Sequence, residues 1–217
     1  MFGGAGWVLF GIENPAKVEI FNDLNSALIN LYRCIKYHRE EFEKELTSFE
    51  EWIPNSREIF MDYLHQLDNR GFTDIQRAAR YFYLIRISYG SGKKTFGGDK
   101  KSICNSIKIL PDIQKRLKDV IIENCDFEKI MKRYDRKNSL FYLDPPYYNA
   151  EKYYQGFSKD DHIRLFDALT KLKGKFILSY NDDEFIRRLY KDFNIIEVER
   201  SNNLAKGVYK ELIIKNY

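Results

Sequence analysis

Apolar positions recur along the chain in two periods. Leu24, Ala27, Leu28, Leu31 and Ile35 follow a spacing of three and four residues, which lines one face of a helix. Asn22 or Asp23 stands ahead of that face as its predicted cap. Just before it, Val18-Glu19-Ile20-Phe21 reads as a short buried strand. From about Phe42 to Ser88 the pattern stays mostly helical, rich in aromatic and charged residues. Tyr81, Phe82 and Tyr83 are consecutive there, so at least one side of the trio belongs to a core. Pro111 opens another helix, which leads to a strand at Val120-Ile121-Ile122. A strand over Ser139 to Leu143, a helix over Asp160 to Leu172 and a strand over Lys175 to Ser179 follow. Helix and strand alternate, which predicts an α/β fold on a parallel sheet. The end differs. Ile195 to Glu199 and Glu211 to Ile214 read as an antiparallel pair joined by a polar loop.

Composition narrows the class. The chain has 217 residues, enough for one large α/β domain with a modest insertion. Charged residues of both signs make up 31% and apolar ones 44%, a balance that excludes a disordered chain. Net charge is +4, and its distribution says more than its size. Arg86, Lys93, Lys94, Lys100, Lys101 and Lys108 lie in one stretch, interrupted by Asp99 alone among acidic residues. Such a stretch neutralises phosphates, or else is a solvated loop. Gly90, Gly92, Gly97 and Gly98 break regularity within it. Cys34, Cys104 and Cys125 are far apart and form no CxxC pair, which speaks against a disulfide framework or zinc site and for a reducing, cytoplasmic setting. His38, His65 and His162 have no metal-binding spacing and read as surface or packing residues, so no metal is called for. No apolar run is long enough to span a bilayer, and no signal peptide is recognised.

One tetrapeptide carries chemistry. Asp144-Pro145-Pro146-Tyr147 directly follows a strand of buried character. Ligands of open α/β sheets bind at the carboxyl ends of strands. Two prolines fix the direction of the backbone and remove its donors, so nearby carbonyls are left to accept. A fixed carboxylate and carbonyl can each accept a hydrogen bond from an exocyclic amine, which aims the nitrogen lone pair. The tyrosine offers a flat face on which an extruded base can stack. A strand ended by a Pro-Pro turn is the alternative that these four residues alone leave open.

With its context, the tetrapeptide resembles the catalytic motif of the Dam-like DNA adenine-N6 methyltransferases, the D12 class or alpha group, a family also common in phages and prophages. Phe2-Gly3-Gly4-Ala5-Gly6 resembles the family's cofactor loop. Phe21-Asn22-Asp23-Leu24-Asn25 resembles the acidic strand end that holds the cofactor ribose. Phe176 to Asp182 and Glu211 to Ile214 resemble its closing strands, and Arg80 to Gly98 its target-recognition insertion. The likeness spans nearly the whole chain. It implies a Rossmann-like S-adenosylmethionine-dependent methyltransferase sheet with an inserted, mainly helical target-recognition region. The catalytic domain is then 1–45 and 111–217, and the insertion 46–110.

The resemblance also implies roles. S-adenosyl-L-methionine is the methyl donor and double-stranded DNA the substrate, with the target adenine flipped out. Phe2, Gly3, Gly4, Ala5, Gly6, Asp23, Leu24, Asp126, Phe127 and Asp144 are the expected cofactor-binding residues. Phe127 packs either on the cofactor ring or in the core. Asp144, Pro145, Pro146 and Tyr147 are the expected catalytic residues, with Asp144 orienting the amine rather than serving as a strong base. Aspartate rather than asparagine at 144 separates the motif from relatives that methylate protein glutamine. Arg86, Tyr89, Lys93, Lys94, Lys100, Lys101 and Lys206 are expected at the DNA. A monomer is the default state for the family. The family carries a segment ahead of the glycine loop, with a lysine motif and a central strand, whereas this sequence opens at the loop. The catalytic domain is therefore expected to be incomplete at its amino terminus. The alternative to an active enzyme is a truncated, catalytically silent DNA-binding relative.

Overall fold

In a computed structural model of the chain, residues 2–52, 56–67, 71–88, 95–97, 103–149, 156–201 and 208–217 are described. Their elements in order are α1 (Trp7–Gly11), β1 (Ile20–Asn22), α2 (Ser26–Tyr37), α3 (Arg39–Trp52), α4 (Arg57–Gln66), α5 (Asp74–Ile87), α6 (Cys104–Ile107), α7 (Leu110–Leu117), β2 (Ile121–Glu123), α8 (Phe127–Tyr134), β3 (Leu140–Leu143), α9 (Lys159–Thr170), β4 (Lys175–Asn181), α10 (Glu184–Leu189), β5 (Asn194–Ser201) and β6 (Val208–Lys215). The fold is mixed α/β. Two compact units divide it, one of Gly4–Asn124 and one of Met1–Gly3 with Cys125–Tyr217. Compactness thus parts the chain near residue 125, whereas the sequence motifs divide it around an insertion at 46–110.

In the first unit β1 and β2 pair in parallel, Ile20 opposite Ile121 and Asn22 opposite Glu123. Helix α2 buries Leu28, Leu31 and Ile35, as their spacing predicts. Its cap is different from the one expected. Asn25, not Asn22 or Asp23, accepts the Leu28 N–H, so the helix starts later and Leu24 stands 68% exposed outside the apolar face. Val18, read as part of a buried strand, is 61% exposed and precedes β1. Helix α5 starts in a capping box, Thr73 with Gln76, and buries Tyr81 and Tyr83. The guanidinium of Arg116 on α7 grips both Glu19 carboxylate oxygens at 2.6 and 2.7 Å and the Leu9 carbonyl at 2.9 Å, tying α7 to the segments beside β1.

The second unit is a four-stranded sheet in the order β3-β4-β6-β5. Strands β3 and β4 are parallel, joined through α9, while β6 runs antiparallel to both β4 and β5. Phe141, Leu143, Phe176, Leu178, Tyr180, Leu212 and Ile214 from the strands pack with Leu165, Leu169, Ile186 and Tyr190 from the helices. The expected late antiparallel pair is present, and longer than the apolar pattern suggested, because the ladder continues through polar residues as far as Ser201 opposite Val208. The mixed α/β class is as expected, whereas a Rossmann-like sheet is not established by the described strands. Those strands form two hydrogen-bonded sheets, and alternation of helix and strand predicts parallel neighbours but not which ladders join.

The start of β4 is wired closely. Asp135 accepts from the Lys173 and Gly174 N–H groups, the Lys175 N–H donates to the Ser139 carbonyl, and Asn216 donates to the Gly174 carbonyl. A methyl group on Gly174 would stand 2.7 Å from the Ser139 carbonyl oxygen and 2.8 Å from that of Arg136, both backbone atoms that cannot turn aside. Gly174→Ala is therefore expected to destabilise the chain by about 1–3 kcal/mol. Urea unfolding of both proteins measures this; an unchanged midpoint sinks the argument.

Candidate functional site

Strand β3 ends at Leu143, so Asp144 leaves the sheet at a strand's carboxyl end. Pro145 behind it is buried, and Asp144 itself reaches solvent. The next turns of chain are held from three sides. The Tyr147 hydroxyl donates to Glu211 Oε1 on β6 at 2.7 Å. It also lies 3.2 Å from the Ser179 hydroxyl on β4. The Tyr148 carbonyl accepts from the side-chain amide of Asn181 at 3.1 Å, and the Tyr148 ring stacks on Phe185 at 4.5 Å. Asn149 then turns the chain with φ 59, a left-handed conformation that asparagine tolerates better than most residues.

Electrostatics sharpen this arrangement. Burial holds the Asp144 carboxyl above the usual carboxylate range, and repulsion from Glu211 adds to it. Arg200 and a hydrogen bond from Ser179 oppose the shift. Burial likewise raises the Tyr147 phenol, which stays protonated and serves as a donor. Since that proton goes to Glu211, the single proton of Ser179 is directed either to the phenol oxygen or to Asp144. Arg200 Nε stands 2.7 Å from Glu211 Oε2. His162, read from the sequence as a surface or packing residue, is buried, bonds to the Tyr180 hydroxyl at 2.7 Å, and is pushed down to about 4 by burial. It is neutral and structural.

The acidic strand end lies in the other unit. Asp23 follows β1 and is buried, and its two oxygens accept from the Gly4 N–H at 2.9 Å and the Asn25 N–H at 2.8 Å. The glycine loop and the acidic residue are thus brought together, as the order of motifs implies. Asn124 donates to the Asp23 and Leu24 carbonyls, joining the ends of β1 and β2. Nearby burial and the Asp23 charge push the Tyr32 phenol up to about 12. Gly4 has φ 47, and a side chain there would meet nothing within 4 Å, whereas Gly6, with φ 72, is packed under Phe10.

Other expected residues are placed differently. Phe127 is 4% exposed and packs against Phe2 at 5.8 Å and Phe157 at 6.2 Å. Asp126 caps α8 and pairs with Arg164, whose guanidinium lies over the Phe127 ring at 4.6 Å. Arg86 is half-buried in the last turn of α5. Tyr89, Lys93, Lys94, Lys100, Lys101 and Lys206 lie outside the described residues. Among the described residues no group of three or more His, Cys, Asp or Glu could hold a metal ion, and no helix is long and apolar enough to cross a membrane. Sequence reasoning missed Ser179, Arg200 and Glu211 as members of the site. The available signal was Glu211, a charge at the head of an otherwise apolar run.

Known proteins resemble the chain along nearly its whole length. The sequence model of the D12 class N6 adenine-specific DNA methyltransferases matches residues 1–204. The type II methyltransferase M1.LlaDCHI of Lactococcus lactis subsp. cremoris is 32% identical, over 100% of this chain and 84% of that protein. The type II methyltransferase M.CviBI of Paramecium bursaria Chlorella virus NC1A is 25% identical, over 100% of this chain and 88% of its own. A DNA adenine methylase of Vibrio cholerae is 23% identical, over 98% of this chain and 84% of its own.

The raised proton affinity of Asp144 has a stability consequence. An unfolded aspartate titrates near ~3.9. The stabilisation linked to the folded carboxyl is full below that pH and is lost as pH rises through the higher folded value. Asp144→Asn, which cannot ionise, should match the wild type in acid and exceed it at neutral pH. Chemical denaturation at both pH values checks this, and a neutral-pH loss of stability in the variant contradicts it.

Proposed function

The chain belongs to the D12 class N6 adenine-specific DNA methyltransferases, and on that premise we propose how its residues divide the work of methylating adenine in DNA. The reaction class is transfer of a methyl group to adenine N6 at specific DNA sites. The donor this implies is S-adenosylmethionine, which supplies a methyl group on a sulfonium sulfur, open to attack by a nitrogen lone pair.

The residues present fit the ribose portion of that donor. The Asp23 carboxylate has lone pairs beyond those given to Gly4 and Asn25, and a vicinal diol needs such acceptors. Gly3 and Gly4 would let the backbone approach the donor closely, and Gly6, with φ 72 and packed under Phe10, turns the loop, with Phe2, Ala5 and Leu24 flanking them. Asp126 and Phe127 act at one remove in this reading, since Phe127 is covered by Phe2 and Phe157 and Asp126 is engaged with Arg164.

Asp144 accepts an N–H of the target amine and turns its lone pair outward. The observation that supports this most is its position at the end of β3, desolvated yet open to solvent, beside a phenol that is fixed in place. Pro145 and Pro146 hold the backbone stiff. Tyr147 offers its ring to the base. Catalysis is then mainly positioning and electrostatic stabilisation, and the amine proton leaves to water. Residues 46–110 serve as the target-recognition region on a catalytic domain of 1–45 and 111–217. Arg86, Tyr89, Lys93, Lys94, Lys100, Lys101 and Lys206 meet the DNA, mostly at phosphates.

Labelled S-adenosylmethionine and unmethylated double-stranded DNA test the whole reading. N6-methyladenine is the expected product. Asp144→Ala should lower kcat by about 10²–10³ while calorimetry shows cofactor affinity retained. Asp23→Ala should weaken cofactor binding about tenfold, since a hydrogen-bonded charge is lost. A folded chain that binds DNA but no cofactor would leave the silent DNA-binding alternative standing instead.

A further inference from the structure

We infer that Glu211 is a positioning residue for methyl transfer, fixing the ring of Tyr147 through the phenol hydroxyl. The inference rests on the role proposed above for Tyr147. Glu211 begins the apolar half of β6, opposite Asn181 on β4 and Val198 on β5. Strand β6 is interior to its sheet, and the Glu211 side chain is only 3% exposed. A buried carboxylate is costly unless it is paired and hydrogen-bonded. Here one oxygen takes the Tyr147 proton at 2.7 Å and the other faces Arg200 Nε at 2.7 Å. Arg200 supplies a positive charge to that oxygen from an exposed position.

The geometry matters because of where the bond is made. A tyrosine ring is free to tilt about its stem. A hydrogen bond at the far end, to a group built into a sheet, removes that freedom. Charge assistance makes the bond about twice as strong as one between neutral groups. The Ser179 hydroxyl at 3.2 Å gives a second, weaker contact. A stacking face set in this way holds an adenine at the distance and angle that Asp144 requires, and misplacement by about 1 Å can cost about 10²-fold in rate. Glu211 touches neither base nor donor in this scheme; it acts through Tyr147.

A double-mutant cycle on the full chain tests the inference. Glu211→Gln keeps the shape and removes the charge. In the Tyr147 background it should lower kcat about tenfold, with cofactor affinity unchanged. In the Tyr147→Phe background, where no hydroxyl is present to hold, the same substitution should change kcat by less than about twofold. Equal losses in both backgrounds would mean a merely structural glutamate and overturn the proposal. If the wild type does not methylate DNA, the role proposed for Asp144 and Tyr147 fails, and positioning is read separately. Chain labelled with 3-fluorotyrosine gives a Tyr147 resonance, assigned by its absence in Tyr147→Phe. That resonance should shift or broaden in Glu211→Gln and more in Glu211→Ala. An unmoved resonance overturns the inference whatever the activity.

Discussion

A carboxylate inside a sheet sets the terms for the unit that carries Asp144. Glu211 cannot be left unpaired without a desolvation cost of several kcal/mol, a large fraction of a domain's ~5–15 kcal/mol stability. Two groups distant in sequence offset that cost, the phenol of Tyr147, which donates to Oε1, and the guanidinium of Arg200, which pairs in charge with Oε2. Both must arrive for the carboxylate to be tolerated. The pairing therefore joins β6, the end of β5 and the tetrapeptide after β3 in one constraint. Ser179 and Asn181 on β4, between β3 and β6, hold the same tetrapeptide and the residue after it from the floor. Strand order thus has a chemical use: it puts two polar strand ends beneath one aromatic residue.

The same charge that fixes Tyr147 burdens its neighbour. Burial raises the proton affinity of Asp144, and Glu211 raises it further. Arg200 relieves both carboxylates at once, being close enough to pair with one and to favour ionisation of the other. A fold selected only for stability gains little from two adjacent carboxylates at the mouth of a strand. Sites that do chemistry commonly give up stability in this way. Tyr142 and Tyr209 also have raised phenols, each by burial first and then by these carboxylates, Asp144 ahead of Glu211 for Tyr142 and Glu211 ahead of Asp144 for Tyr209. Two acids and three tyrosines thus share one electrostatic environment.

Much of the local structure was legible because it depends on local spacing. The buried face of α2 follows from a period near 3.6, and the strands of the late antiparallel pair from short apolar runs between polar stretches. The place of the tetrapeptide at the end of a strand was legible because an apolar run stops at Asp144-Pro145. Errors arose where neighbouring residues compete for one task. Asn22, Asp23 and Asn25 can all cap a helix, and only the course of the chain decides that Asn25 does so while Asp23 binds the glycine loop. The role of Phe127 was open for a similar reason: an aromatic ring suits a core and a cofactor equally, and the ring packs with Phe2 and Phe157.

Glu211 shows what no local pattern can carry. Its partners lie in other strands and in the tetrapeptide, and pairing across a sheet is fixed by register rather than by sequence distance. Shifting β6 by one residue would point Glu211 to the opposite face and put Leu212 beneath Tyr147. The apolar alternation of Leu212 and Ile214 resists that slip, because it would bring their core-facing side chains out of the packed interior. Burial of two aliphatic residues thus enforces the position of a charged one. The hydrophobic pattern that was easiest to read is, in this sense, what holds in place the polar residue that was hardest to foresee.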